Sequence, residues 1–115
     1  MINQDKLFYE IKNLIIEWVQ KNQKYFKDNN IEMNILRNET DGLVVGFENS
    51  SFMAEIVVEN SNFAPYRFIS FEVAAIIENQ TAIIYSWYDN DNTSKQEIED
   101  NLKKGIDYFI NNDEK

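Results

Sequence analysis

Cysteine and histidine are both absent from this 115-residue chain. Without Cys there is no disulfide framework and no thiolate chemistry. Without His, the commonest zinc ligands, the usual general base near neutral pH and every His-dependent triad are excluded. Pro occurs once and Gly three times, so special turns are few and regular elements long. Gly42, Gly46 and Gly105 are too scattered for a phosphate-cradling loop, and no nucleophile elbow or paired-metal motif occurs. Positive charge is scarce as well. Eleven Lys and Arg stand against 20 Asp and Glu, a net charge of −9. Nucleic-acid binding needs a concentrated positive surface and is disfavoured, as is binding to anionic membranes. A basic partner is favoured, and its approach accelerated. The same acidity would also serve simply to keep the protein soluble.

Long apolar runs are missing too. None approaches the roughly 20 residues of a membrane span. The opening MINQDKLFYE lacks a basic segment followed by an apolar one, so it does not read as a secretory signal. These observations predict a cytoplasmic protein with no membrane and no nucleic-acid partner. The N-x-S/T matches at Asn38, Asn49, Asn79 and Asn92 read as chance in an Asn-rich chain.

What is present is aromatic and periodic. Eight Phe, six Tyr and two Trp in a chain of this length suit a single packed domain spanning 1–115. The most apolar stretch is Tyr66–Ile77, YRFISFEVAAII. Period two fits it better than 3.6, with Ile69, Phe71, Val73, Ala75 and Ile77 on one face, so it reads as an interior strand. Before it, apolar residues from Leu7 to Phe26 recur at helical spacing and predict a helix over 5–28, ended by Asp28-Asn29-Asn30. Three further strands are expected at Ile31–Leu36, Leu43–Glu48 and Phe52–Glu59. A tight turn at Asn49-Ser50 would set Phe47 opposite Phe52. After Ile77, Thr81–Tyr88 is a fifth strand. Ser94-Lys95-Gln96-Glu97 has the form of a capping box, and Ile98, Leu102, Ile106, Phe109 and Ile110 continue a helix over 94–111. The order predicts an α+β fold: a five-stranded antiparallel meander with both terminal helices on one sheet face.

A turn at Asn79-Gln80 would pair Phe71 with Tyr88 and Val73 with Ser86, and stack Ala74 with Tyr85 and Glu72 with Trp87 on the opposite face. A three-residue turn would flip every one of these. In the first register Met53, Glu55, Phe68, Glu72, Ile76, Ile83, Tyr85 and Trp87 lie on the face away from the helices. Aromatics beside carboxylates suit a partner that carries Arg or Lys. The core of that candidate protein-binding face is Met53, Glu55, Phe68, Glu72, Tyr85 and Trp87. The alternatives are that the face is consumed by a second copy of the chain, or is simply core. Catalysis by Glu55 and Glu72 is not expected, since a flat sheet face neither excludes water nor separates their pKa values. Asp89-Asn90-Asp91-Asn92-Thr93 opens like a calcium loop but has Ser94 at the turn-glycine position and Asp100 at that of the bidentate Glu. No metal, cofactor or catalytic residue is expected.

The order of a helix with Trp18, the strands SFMAEIVVEN and FISFEV, and AIIYSWYD before a capped helix resembles the small TriTu-type immunity proteins of bacterial polymorphic-toxin systems. Ala54 and Glu59 stand where that family is expected to have a Gly and a Trp flanking the middle strand. The resemblance implies an antitoxin that neutralises a cognate toxin, here a basic one, by stoichiometric binding. It supplies no catalytic residues. Two other readings stay open: a self-associating adaptor, such as a homodimer, and a small-ligand binder or enzyme with an unrecognised site.

Overall fold

The computed structural model describes residues 4–60 and 68–111. Helices α1 (Gln4–Lys21) and α2 (Gln23–Asp28) precede strands β1 (Glu32–Glu39), β2 (Gly42–Glu48), β3 (Phe52–Glu59), β4 (Ile69–Ile77) and β5 (Gln80–Tyr88), and α3 (Lys95–Asn111) follows. The strands form one antiparallel sheet in the order β1-β2-β3-β4-β5, the expected meander. β4 is interior, as its composition predicts, but the middle position belongs to β3. Tyr66 and Arg67, read as the start of the apolar strand, lie outside the described residues.

The N-terminal helix is not continuous. It breaks at Asn22, whose side-chain amide donates to the Trp18 carbonyl oxygen at 2.7 Å and occupies an acceptor at the end of α1. The break lets Phe26 turn under the sheet, 5.2 Å from Phe47 and 5.7 Å from Trp18 between ring centroids. Asn30 then adopts φ 59°, with the Asn30 amide donating to the Lys27 carbonyl and the Ile31 amide to that of Phe26. That is a Schellman stop, with Asn in the left-handed position usually given to Gly. At α3 the capping box forms as read. The Glu97 amide donates to Ser94 Oγ at 3.1 Å, and the Ser94 amide reaches back to Glu97 Oε1 at 3.5 Å.

Both helical segments lie on one face of the sheet. Phe8 of α1 meets Phe68, Trp18 meets Phe47, and Phe109 of α3 meets Phe52. Between them Leu43, Val45, Ile56, Val58, Ile69, Phe71 and Val73 are sealed from solvent. Each fully buried large side chain contributes about 1.5–3 kcal/mol relative to an exposed one. Phe109 is buried as expected, whereas Trp18 is half-buried. The approach of α3 is close enough that a Cβ on Gly105 would come within 2.2 Å of the Phe71 ring. Glycine is unfavourable inside a helix, and here it sets the helix-to-sheet distance.

Two hairpins turn one residue away from the expected places. The β2–β3 loop is Ser50-Ser51, with Asn49 Oδ1 accepting from the Ser51 and Phe52 amides, so Phe47 faces Ala54 and not Phe52. The β4–β5 loop is Glu78-Asn79, both with positive φ, so Ile77 pairs with Gln80. A one-residue move of a two-residue loop changes the register by two residues and leaves every side chain on its face. Bulges do more. One lies between Ile35 and Arg37 in β1, and a second offsets the pairing of β5 with β4 at Ile84.

Candidate functional site

The face of the sheet away from the helices is organised as rows that cross all five strands. One row runs Glu32, Glu48, Met53, Ala74, Ile83. The next runs Asn34, Gly46, Glu55, Glu72, Ser86, and the third Arg37, Val44, Val57, Ser70, Tyr88. Glu55 and Glu72 therefore stand directly opposite each other on neighbouring strands. Facing like charges destabilise a strand pair. Among the described residues neither has a cationic partner. The Tyr88 hydroxyl donates to Glu72 Oε2 at 2.8 Å and fixes the direction of that carboxylate. Met53 is 40% exposed and Ile83 61%, and both flank the acidic row on its β4–β5 turn side.

Among the described residues the cation on this face is Arg37, and it is already engaged. It lies 2.9 Å from Glu39, 3.0 Å from Asp41 and 4.0 Å from Glu59. Its hydrogen bond to Glu39 is the largest cause raising its pKa above the ordinary guanidinium value, against a smaller opposing effect of desolvation; the charges of Glu39, Asp41 and Glu59 add to the rise. The acidic row thus meets solvent with its negative charge uncompensated, beside an apolar strip.

Three of the six expected site residues share this face: Met53, Glu55 and Glu72. The other three do not. Phe68 is buried against Phe8. Tyr85 and Trp87 lie on the covered side, opposite Val73 and Phe71, packed against the core. Phe68 stands before the first residue of β4, outside the alternating strand, and for Tyr85 and Trp87 the cause is the β5 bulge. Up to Ile83 the expected faces hold, and Ile76 and Ile83 remain on the open side. Beyond the bulge, parity inverts, so Tyr85 and Trp87 turn inward and Tyr88 turns outward. Tyr85 meets α3 there, donating to Asn101 Oδ1 at 2.8 Å, with the Tyr108 ring 5.6 Å away. Burial is the larger cause, and the neighbouring Tyr108 the smaller, that raises the Tyr85 hydroxyl above its ordinary 10.0.

Tyr88 is the site residue missed by periodicity. The polar side chains of β5 give the available signal. Thr81 and Ser86 both belong on the open face, yet five residues separate them, an odd number that no regular strand can accommodate on one side. The Ile83-Ile84 doublet is where the extra residue fits.

The loop that begins like a calcium site has a structural use. Asp89 is 2% exposed, and its Oδ1 accepts from the Phe68 and Ile69 amides, both at 2.8 Å. The carboxylate ties the end of β5 to the start of β4. Among the described residues no three potential metal ligands converge. A cleft of about 250 Å³ opens where the α1–α2 break faces α3, between Trp18 and Tyr25 on one side and Glu99, Lys103 and Asp107 on the other. It is smaller than the usual ligand pocket of about 300–1,000 Å³, and Lys103 spans to Asp107 at 3.7 Å within it. Among the described residues no helix is long and apolar enough to cross a membrane. Comparisons with protein-family models, curated proteins and solved structures give no match.

Proposed function

We propose that this chain is a stoichiometric protein-binding module of the immunity or antitoxin kind, which takes a basic toxin domain onto the open face of its sheet. The observation that carries the reading is the Glu55–Glu72 row. Glu55 is exposed and Glu72 half-buried, neither has a cationic partner among the described residues, and the pair is bordered by Met53 and Ile83 and braced by Tyr88. A repulsive pair on a rigid sheet is relieved when Arg or Lys arrives, and Arg can engage carboxylates in bidentate fashion. The apolar strip adds the desolvated contact on which affinity depends. The net charge of −9 steers a basic partner from a distance. The resemblance to TriTu-type immunity proteins points the same way, and a cytoplasmic site of action belongs to the same reading. No catalytic role is proposed for the carboxylates.

The test is functional. The product of the gene next to this one is expressed in cells with and without the chain, and growth and complex stoichiometry are measured. Protection with a 1:1 complex, lost in the Glu55→Lys/Glu72→Lys double variant while its melting temperature holds, supports the reading. Protection undiminished in that variant removes the proposed face from it. Absence of any complex with the neighbouring product contradicts the immunity reading itself.

A further inference from the structure

The two edges of the sheet differ in a way that the open face does not account for. β1 is protected. It carries Glu32, Arg37 and Glu39, is bulged after Ile35, and leads into the Arg37–Asp41 ion pair. Charges and bulges are the ordinary means of keeping an edge strand from pairing with another chain; both edges carry a bulge, and it is charge that sets them apart. β5 forms the other edge, and its nine residues QTAIIYSWY contain no Asp, Glu, Lys or Arg. Gln80, Thr81, Ala82, Ile83 and Ile84 are all exposed, and so is Ile77 across the turn at 60%. Beyond Glu78 in the turn, β5 thus presents an uncharged, largely apolar and exposed edge.

We propose that the β5 edge pairs antiparallel with β5 of a second copy, about a two-fold axis within Thr81–Ile83. Two features of the molecule choose a second copy as the occupant. First, antiparallel pairing is two-fold symmetric, so one strand segment is complementary to itself in a closed, isologous contact. Second, every copy carries −9, and elsewhere acid would meet acid. The charge-free strand is where two copies meet with least repulsion. An axis within Thr81–Ile83 also sets each Glu78 against the uncharged Tyr85–Trp87 stretch of the other copy, away from its own counterpart. The pairing runs on the turn side of the bulge, where the strand is regular. Because the axis stands perpendicular to the sheet, the two five-stranded sheets join with their open faces on the same side. The acidic rows then lie side by side, available to partners.

Sedimentation equilibrium of the full chain tests this across a concentration series and at two salt concentrations. A monomer–dimer equilibrium that tightens as salt rises is expected, since screening removes repulsion between like-charged copies. Thr81→Glu and Ile83→Glu, each on an exposed position, should weaken dimerisation by about tenfold or more by bringing two like charges close together beside the axis, with melting temperatures extrapolated to the monomer unchanged. Glu55→Gln, on the open face, should leave the dimer in place. A chain that stays monomeric up to about 0.1 mM overturns the proposal. So does a dimer that loosens as salt rises, or one indifferent to both glutamate substitutions.

Discussion

On the covered side of the sheet, Phe71 and Val73 are sealed from water, and their β5 partners Trp87 and Tyr85 pack against the same core. One residue further along each strand, on the open side, Glu72 looks across at Glu55, and Tyr88 reaches back to a carboxylate. The two faces share a backbone, and they divide the work. The covered face contains the apolar burial that opposes chain entropy. The open face holds a repulsive pair, an exposed Met and an exposed Ile, none of which the fold requires. A sheet that tolerates facing glutamates over a finished core has surface left for contact.

The largest effect that would test this division lies at the seam between the faces. Asp89→Ala removes the acceptor for the buried Phe68 and Ile69 amides and should destabilise the domain by about 2–4 kcal/mol. A denaturant midpoint close to the parent's would mean that water or another group satisfies those amides. Gly105→Ala separates packing from propensity on the covered side. Helix propensity alone would make it stabilising by about 1 kcal/mol. The clash with the Phe71 ring should reverse the sign and cost about 1–3 kcal/mol. A stabilised variant would show that α3 stands further from β4 than described.

The covered face also has a pH signature. Tyr85 has a folded pKa raised by burial and, less, by Tyr108, so the native state holds the proton that the unfolded chain gives up near the ordinary 10.0. The associated stability is fully present below that value and is lost as pH rises through the folded pKa. Tyr85→Phe should flatten this alkaline loss in a melting-temperature profile against pH. A profile parallel to the parent's would place the alkaline sensitivity elsewhere. The smallest effect, and of opposite sign, belongs to the open face. Glu55→Gln relieves the facing charges and should stabilise the domain by about 0.2–1 kcal/mol, most visibly at low salt. A loss of stability would mean that Glu55 serves the fold.

Much of this division was readable in the residues. Alternation in Phe52–Glu59 and Ile69–Ile77 assigns their two faces correctly, because each is a regular strand with one side buried. The capping box at Ser94 and the helical stripes place both helical segments on one side. The misplaced turns did no harm to the faces, since each shifted register by two. The α1–α2 break was hidden because Trp18 and Phe26 keep helical spacing across Asn22. Phe68 precedes β4, where strand alternation does not apply, and turns under α1 against Phe8; Tyr85 and Trp87 depart from the expected face for another reason. A bulge inverts everything beyond it, and strict period two cannot express it, although the odd spacing of Thr81 and Ser86 signals one. Asp89 resembled part of a cation loop because sequence does not show which way a carboxylate points.

The division of the sheet is tested most directly by melting two variants side by side, Trp87→Ala and Met53→Ala. Trp87 is half-buried against the core from the covered face, and its loss should cost about 2–4 kcal/mol. Met53 sits on the open face, and its loss should stay within about 0.5 kcal/mol. A Trp87→Ala protein that melts with the parent, or a Met53→Ala protein that falls as far as Trp87→Ala, would contradict the assignment of the two faces.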